Sequence, residues 1–176
     1  MTPSQTAGPF LSLGLRWPDG PHAVLPGTRG AVWLRGRVLD AAGEPVTDAL
    51  VETWQADGSG RFADREETGG FRGFGRSETV DGEYAVLTVK PAPLIDPLGR
   101  THAPHVALSV FARGLLDRVV TRLYFADEVA ANSDDPLLTS LPDDAARRTL
   151  LAEPSADGYR LDLVLQGSDE TVFFAL

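Results

Sequence analysis

Apolar residues that recur at every second position in short runs constrain the fold of this 176-residue sequence more than any other feature. Two such runs, residues 105–111 and 119–125, are separated by a loop that contains Arg113 and Gly114. The side chains expected on one face are Val106, Leu108 and Val110 in the first run and Val119, Thr121, Leu123 and Phe125 in the second. A period of two is typical of half-buried β-strands, and a glycine-containing loop between them favours a hairpin. The sequence therefore predicts an antiparallel strand pair at its centre.

The same reasoning predicts further strands along the chain. They cover Ala31–Val38, Ala49–Trp54, the two arms of a hairpin within Ser77–Lys90, Tyr159–Gln166 and Thr171–Ala175, with a loop at Asp127–Leu141. An Asp81-Gly82 pair between the hairpin arms is a strong signal for a tight turn. Pro142–Ala152 is the one predicted helix, because Pro and Asp lie near its start and two arginines lie near its end. We therefore predict an all-β protein, an antiparallel β-sandwich with one short helix.

Residues 1–30 are rich in Pro, Gly, Thr and Ser. Turn signals such as Gly8-Pro9 argue against both a helix and a regular strand there. The segment nevertheless carries apolar residues that a disordered tail does not need, namely Phe10, Leu11, Leu13, Leu15 and Trp17. We predict a single domain, residues 1–176, in which residues 1–30 form an extended, ordered arm along a surface of this chain or of a partner.

Composition excludes several classes of function. A formal net charge of −9 argues against binding to nucleic acid or to anionic membranes, because phosphate recognition needs clustered Lys and Arg. The sequence contains no cysteine, which excludes disulfides, thiolate metal sites and cysteine nucleophiles. No apolar run approaches the roughly 18 residues of a membrane-spanning helix, and the N-terminus lacks the pattern of a signal peptide. A cytoplasmic protein is expected.

Histidines and serines offer few candidates for catalysis. His102 and His105 are three residues apart, so on a strand they point to opposite faces and do not chelate a metal as a pair. A catalytic metal usually needs about three converging protein ligands. No serine lies in the Gly-x-Ser-x-Gly pattern of a hydrolase nucleophile. We therefore predict no catalytic residue and no metal ligand in this chain, and a structural role for His105.

Arg122 is a charged residue inside the apolar run of residues 121–125. It lies either on the solvent face of the sheet or at the floor of a cleft that binds an anion. Arginine binds a carboxylate through two parallel hydrogen bonds, and a charged hydrogen bond contributes about 1.5–3 kcal/mol. The residue types alone leave both alternatives open.

Several stretches, in one order along nearly the whole chain, resemble the intradiol ring-cleaving dioxygenases. They are residues 2–10 (TPSQTAGPF), 51–57 (VETWQAD), 73–76 (GFGR) with 81–84 (DGEY), 89–91 (VKP) and 121–125 (TRLYF). The resemblance implies a β-sandwich and an enzyme that cleaves an aromatic ring with O2. In catalytic chains of that family, two tyrosines and two histidines hold a non-haem Fe(III).

Departures from the family pattern are concentrated at the iron ligands. At the ligand positions this chain has Phe62 and Leu94 in place of the tyrosines, and His105 with Ala107 in place of a His-x-His pair. His102 replaces an arginine of the catalytic chains. Fe(III) is a hard ion that phenolate oxygens suit, and Phe and Leu offer it no ligand atom. The resemblance therefore implies an iron-free alpha chain, with Fe(III) carried by a partner beta chain.

By this resemblance, the alpha–beta complex cleaves 3,4-dihydroxybenzoate with O2 between its hydroxylated carbons, giving 3-carboxy-cis,cis-muconate. The residues expected to line the substrate pocket at the subunit boundary are Thr6, Gly8 and Pro9, with Phe10 nearby. Arg122 is expected to face the carboxylate of the substrate. One alternative is a non-catalytic β-sandwich binding module of the transthyretin type. Another is an iron enzyme with rearranged ligands within this one chain.

Overall fold

Short β-strands account for most of the regular structure. The computed structural model describes residues 3–8, 10–63 and 70–175. Its strands are β1 (Ala31–Leu39), β2 (Leu50–Trp54), β3 (Phe74–Glu78), β4 (Glu83–Val89), β5 (Leu94–Ile95), β6 (Thr101–His102), β7 (His105–Phe111), β8 (Val119–Phe125), β9 (Leu151–Ser155), β10 (Gly158–Arg160) and β11 (Leu163–Val164). Its α-helices are α1 (Leu11–Leu15), α2 (Val129–Asp134), α3 (Pro136–Ser140) and α4 (Asp144–Arg148). None of these helices has the length and hydropathy needed to cross a membrane. The mainly-β character that the sequence predicts is confirmed.

Nine of the strands form one sheet, and β5 and β6 pair separately. Neighbouring strands follow the order β4-β1-β10-β9-β8-β7-β2-β3, and β11 pairs with the end of β1. Most pairs are antiparallel, but β1 runs parallel to β10 and β11, and β8 runs parallel to β9. The sheet is therefore mixed, not purely antiparallel as the sequence led us to expect. The chain passes through α2, α3 and α4 before it returns as β9 beside β8, and such a crossover connection permits parallel pairing.

The sheet curls until its two ends almost meet. β3 and β4 lie side by side, and the backbone N–H of Ala85 donates to Oγ of Ser77 at 2.9 Å. Buried apolar side chains fill the interior, among them Leu34, Val38, Val51, Val106, Leu108, Val110, Leu123 and Phe125. Tyr84 is buried with them, and its hydroxyl donates to the carbonyl of Leu161 at 2.7 Å. The hydrogen bond satisfies a polar group that is costly to bury alone.

The central hairpin has the pairing that the alternation predicts. β7 and β8 pair antiparallel, with His105 opposite Tyr124 and Ala107 opposite Arg122. Of the predicted core positions, Val106, Leu108, Val110, Thr121, Leu123 and Phe125 are buried, and Val119 is half-buried. Because side chains alternate across a strand, His105, Ala107 and Arg122 lie on the opposite face of the hairpin. The same strand pair thus presents one face to the core and the other to a second surface.

The hairpin predicted within Ser77–Lys90 is wrong. The turn is present, with φ of 61° at Asp81 and 84° at Gly82, but the strands on its two sides pair with different partners. β3 pairs with β2, and β4 pairs with β1. The buried hydroxyl of Thr79 donates to the carbonyl of Val46 at 2.6 Å, which ties the start of the turn to the segment before β2. Long-range pairing therefore outweighs the local turn signal.

The helices differ from the prediction in number and position. α4 occupies only the middle of the predicted Pro142–Ala152 helix, because Leu151 and Ala152 enter β9 and pair with β8. α2 and α3 occupy much of the segment Asp127–Leu141, which the sequence led us to treat as a loop. Asp135 begins α3, since its side chain accepts two backbone N–H groups of the first turn.

The C-terminal segment also differs from the prediction. Two short strands, β10 and β11, replace the single strand expected at Tyr159–Gln166. Between them, the Asp162 carboxylate accepts the backbone N–H of Arg37 at 2.9 Å, where a backbone carbonyl would otherwise continue the ladder. Thr171–Ala175 forms no strand, only an isolated bridge between Phe174 and Val120.

The N-terminal arm lies along the surface of its own chain. Contrary to the expectation from its composition, it contains the one-turn helix α1. The Trp17 ring stacks on Phe74 with centroids 6.1 Å apart, and the Arg76 guanidinium lies 4.7 Å from the Trp17 centroid. Stacking and cation–π contacts of this kind order the arm against β3.

Gly36→Ala is expected to destabilise the chain strongly. A Cβ at Gly36 would lie 1.7 Å from the carbonyl oxygen of Leu161 and 2.8 Å from the Tyr84 ring, so β1 must shift away from the C-terminal strands. We expect a loss of at least about 2 kcal/mol in the free energy of unfolding, measured by urea denaturation. The control is Gly14→Ala, where the added methyl meets nothing within 4 Å and where the helix gains propensity. Equal losses in both variants would contradict the close packing at Gly36.

Candidate functional site

A cavity of about 600 Å³ opens on the face of the β7–β8 hairpin that points away from the core. This size lies within the range of about 300–1,000 Å³ that is usual for small-molecule sites. Side chains from several elements line it: Trp54 at the end of β2, Phe62 in the following loop, Leu94 on β5, His102 on β6, His105 and Ala107 on β7, and Arg122 on β8. The cavity is therefore built by long-range pairing and not by any one segment.

The four positions that the family resemblance assigns to iron ligands converge in this cavity. Phe62 and Leu94 line it from the loop after β2 and from β5. His105 and Ala107 are two residues apart on β7, so both side chains point into it from one face of the strand. Positions that are distant in the sequence thus meet at one place in the fold.

The side chains at these positions do not fit an iron ion. Phe62, Leu94 and Ala107 have no ligand atom, which leaves His105 as one donor out of four. In the part of the chain that the structure describes, no group of three or more His, Asp or Glu side chains could hold a metal ion. Fe(III) prefers several oxygen and nitrogen donors, and this set does not provide them.

His105 is a half-buried histidine that is neutral at physiological pH. Burial lowers its pKa to about 4, and the positive charge of Arg122 acts in the same direction, whereas the hydrogen bond to Ala103 opposes both. Its Nδ1 lies 2.7 Å from the carbonyl oxygen of Ala103. A carbonyl only accepts, so Nδ1 carries the proton of the neutral ring and Nε2 carries a lone pair.

Arg122 is half-buried in the cavity wall. Its Nη1 donates to Nδ1 of His102 at 3.2 Å and to the hydroxyl oxygen of Tyr124 at 3.3 Å. Because a guanidinium only donates, the His102 proton is on Nε2, which lies 3.4 Å from a carboxylate oxygen of Asp96. Arg122 therefore lies in the wall of the cavity, whereas the anion-binding alternative placed it at the floor of a cleft. Its binding of a carboxylate stays a prediction.

A buried carboxylate holds the base of the cavity in place. Asp135 is fully buried and accepts the Tyr124 hydroxyl at 3.3 Å, the backbone N–H of Ala103 at 2.9 Å, and two N–H groups at the start of α3. A buried charge is costly unless it is hydrogen-bonded, and these donors meet that need. Burial raises the pKa of Tyr124, so it remains a phenol that donates to Asp135 while it accepts from Arg122. The three side chains form a chain that fixes the guanidinium.

Aromatic and apolar side chains form the outer wall. The rings of Trp54 and Phe62 stack with centroids 5.7 Å apart and planes inclined by 13°. They are 44% and 47% exposed, so a substantial part of this aromatic surface is accessible at the mouth of the cavity. Leu94 and Ala107 continue the apolar surface inwards.

Of the predicted N-terminal residues, Thr6, Gly8 and Phe10 do not line this cavity. Thr6 accepts the backbone N–H of Gly114 at 2.7 Å, at the turn of the β7–β8 hairpin, whereas Arg122 lies in the middle of β8. Of the other predicted residues, Gly8 and Phe10 are exposed, and Pro9 lies outside the described residues. The predicted substrate-binding residues therefore fall into two separate groups, and their roles stay predictions.

Sequence reasoning missed three residues that shape the cavity, namely Trp54, Tyr124 and Asp135. Trp54 and Tyr124 belong to the stretches that carry the family resemblance, but nothing local assigns them a place. Asp135 had a usable signal, because an Asp directly before a Pro is typical of the start of a helix.

The fold and the converging positions define the class of protein. A dioxygenase family profile matches residues 21–167. The chain belongs to this family, which confirms the family that the sequence motifs indicate. It is 38% identical over 193 aligned positions to the protocatechuate 3,4-dioxygenase alpha chain of Pseudomonas putida, with 98% of this chain and 95% of that one covered. The alpha chain from Burkholderia cepacia is 40% identical over 194 positions, with 98% and 96% covered.

Similarity extends to catalytic relatives. The protocatechuate 3,4-dioxygenase beta chain of Burkholderia cepacia is 36% identical over 154 positions, covering 77% of this chain and 64% of that one. The solved dioxygenase domain of a carbohydrate-binding fusion protein from Streptomyces sp. SirexAA-E has a TM-score of 0.58 at 28% identity, with 95% and 99% covered. Catechol 1,2-dioxygenase from Pseudomonas arvilla C-1, at 23% identity and a TM-score of 0.63, shares the fold over 83% of this chain and 55% of its own. These relatives do not favour the transthyretin-type alternative.

His105→Asn is expected to flatten the pH dependence of stability between about pH 6.5 and 4. The folded pKa of about 4 lies below the ordinary value of 6.5, so in this window the unfolded chain binds a proton that the folded chain does not. His105 therefore costs stability as the pH falls, and Asn keeps a donor for Ala103 without titrating. Urea unfolding gives the free energy of unfolding at pH 7 and at pH 4.5. The fall between the two pH values should be smaller in the variant than in the unmodified chain by about 1–3 kcal/mol. Parallel losses in both proteins would show that His105 is not held neutral.

Proposed function

We propose that this chain is the iron-free alpha subunit of a protocatechuate 3,4-dioxygenase and that it works in a complex with an iron-bearing beta subunit. One observation carries the proposal: alpha-chain similarity along nearly the whole sequence coincides with Phe62, Leu94 and Ala107 at the ligand positions of the cavity. Fe(III) in the complex belongs to the beta subunit. The alpha chain has no activity by itself.

The reaction of the complex is intradiol ring cleavage. 3,4-Dihydroxybenzoate and O2 give 3-carboxy-cis,cis-muconate, with the bond between the two hydroxylated carbons broken and both oxygen atoms retained in the product. This is a degradative step on an aromatic acid. Support for this substrate comes from the similarity to alpha chains of protocatechuate 3,4-dioxygenases.

The N-terminal arm, residues 1–30, lies at the subunit boundary in this proposal. Thr6, Gly8, Pro9 and Phe10 then line the substrate pocket of the beta subunit. Phe10 is 75% exposed and Leu13 is 62% exposed, and such apolar side chains are well suited to burial against a partner. The hydrogen bond from Gly114 to Thr6 anchors the arm so that it presents these residues.

Arg122 remains the proposed carboxylate-binding residue. Its position in the middle of β8, away from the hairpin turn that Thr6 contacts, separates this role from that of the arm. The support is the half-buried guanidinium, which His102 and Tyr124 hold in one orientation.

Co-expression with a beta chain of the family, one that carries both tyrosines and a His-x-His pair, tests the subunit assignment. The purified complex should consume O2 and 3,4-dihydroxybenzoate in a one-to-one ratio. Either chain alone should show little or no uptake in an oxygen-electrode assay. Turnover by this chain alone, or an undiminished rate of the beta chain without it, would rule out the assignment.

Thr6→Val tests the placement of the arm. Valine cannot accept the N–H of Gly114, so the arm loses an anchor worth about 0.5–1.5 kcal/mol, and KM of the complex for 3,4-dihydroxybenzoate should rise about 3- to 10-fold. The matched control is Ser4→Ala, which removes only an exposed 3.3 Å contact to Asp117 and should leave KM unchanged. Indistinguishable steady-state kinetics for the two variants would argue against a pocket lined by the arm.

A further inference from the structure

We propose that the cavity of this chain is itself a binding site for a hydroxybenzoate-class aromatic acid, which it holds without cleaving it. The site consists of a fixed guanidinium on one side, a neutral histidine with a free lone pair, and an aromatic and apolar wall. The inference rests on the proposed function only for the choice of acid. Its geometry stands on the described residues alone.

The guanidinium of Arg122 has N–H donors that make no hydrogen bond to a described residue. Nη1 donates to His102 and Tyr124, and Nε and Nη2 make no hydrogen bond to any described residue. No Asp or Glu in the described part of the chain comes within 4.0 Å of this guanidinium. Nε and Nη2 are the two atoms with which arginine forks onto a carboxylate. A half-buried arginine whose Nε and Nη2 are available can bind an anionic ligand that enters the cavity.

The orientation of the fork is set before a ligand arrives. His102 is 12% exposed and its Nε2 lies 3.4 Å from a carboxylate oxygen of Asp96, so its Nδ1 presents a fixed acceptor to Nη1. The second acceptor, the hydroxyl of Tyr124, is fully buried. Preorganised donors lose little conformational entropy on binding, which favours affinity.

Two carboxylates lie near the site: Asp135, which is buried beneath it and hydrogen-bonded by Tyr124 and backbone N–H groups, and Asp96. Asp96 is the acidic side chain among the described residues that line the cavity. The backbone N–H of Arg100 donates to it and, with the Arg100 side chain, lowers its pKa, so it stays an anion compensated by its own neighbours. A ligand carboxylate is therefore favoured on the Arg122 side of the cavity and disfavoured at Asp96.

The remaining surfaces suit a hydroxylated aromatic ring. Nδ1 of His105 donates to Ala103, and its Nε2 accepts no hydrogen bond from a described residue, so it can accept one from a ligand hydroxyl. Trp54 and Phe62 offer exposed aromatic surface for the ring, and Ala107 leaves space between the polar groups. Since Phe62, Leu94 and Ala107 supply no metal ligand, a bound acid stays intact.

Isothermal titration calorimetry on the full chain, with folding checked by circular dichroism, tests the site. The ligands are 3,4-dihydroxybenzoate, benzoate and catechol. We expect 3,4-dihydroxybenzoate to bind best, benzoate to bind more weakly because it lacks the hydroxyls, and catechol to bind at least about 10-fold more weakly because it lacks the carboxylate. Equal affinity for catechol and 3,4-dihydroxybenzoate, or no binding of the acid, overturns the proposal.

Arg122→Met should weaken binding of 3,4-dihydroxybenzoate about 10- to 100-fold and leave catechol unaffected. The matched control is Arg35→Gln on β1, an arginine paired with Asp157 outside the cavity, which should bind like the unmodified chain. Ala107→Leu fills the cavity while it keeps every charge, and it should abolish binding of the acid. This variant decides the outcome should Arg122→Met fail to fold.

The outcome is separable from that of the proposed function. Calorimetry reports on this chain alone, whereas oxygen uptake reports on the complex with a beta chain. Binding without turnover of the complex would support the site and refute the subunit assignment. Turnover by the complex, with no binding of the acid to this chain alone, would support the subunit assignment and refute the site.

Discussion

The antiparallel register of β7 and β8 is the constraint on which the rest of the structure depends. Because Ala107 lies opposite Arg122, one face of the hairpin delivers Val106, Leu108 and Leu123 to the core and the other delivers His105, Ala107 and Arg122 to the cavity. A slip of one residue would exchange the two faces and place a guanidinium in the core. Core burial therefore enforces the geometry of the site, so the cavity keeps its shape without help from a metal.

In the cavity, the four positions that the family resemblance assigns to iron ligands still meet, but three of them have no ligand atom. Phe62, Leu94 and Ala107 occupy the ligand positions with hydrocarbon. Beneath them, backbone N–H groups and Tyr124 satisfy the buried Asp135, so the scaffold carries no uncompensated charge. In the proposed function, such a chain acts as a partner and leaves the oxygen chemistry to a related chain. The chain is similar to both alpha and beta chains of protocatechuate 3,4-dioxygenases.

Local patterns in the sequence predict the central hairpin and the first two strands of the sheet well, because there the alternation reports burial directly. They fail at Asp81-Gly82, where the turn signal is genuine but β3 and β4 find longer-range partners, and at residues 129–140, where short helices depend on tertiary contacts. The parallel pairing of β9 with β8, and of β10 and β11 with β1, follows from the path of the chain. The period of the apolar residues does not encode that path. The family motifs locate the four ligand positions, of which His105 alone keeps a donor atom. The half-buried state of Arg122 was not predictable, because it depends on β5 and β6 covering that face.

The central claim is that this chain belongs to a ring-cleaving dioxygenase in which the iron is bound by another chain. The most direct measurement is anomalous X-ray diffraction at the iron edge from crystals of the complex of this chain with its beta chain. The account predicts an iron peak within each beta chain and none between residues 62, 94, 105 and 107 of this chain. An iron peak in that cavity would contradict it.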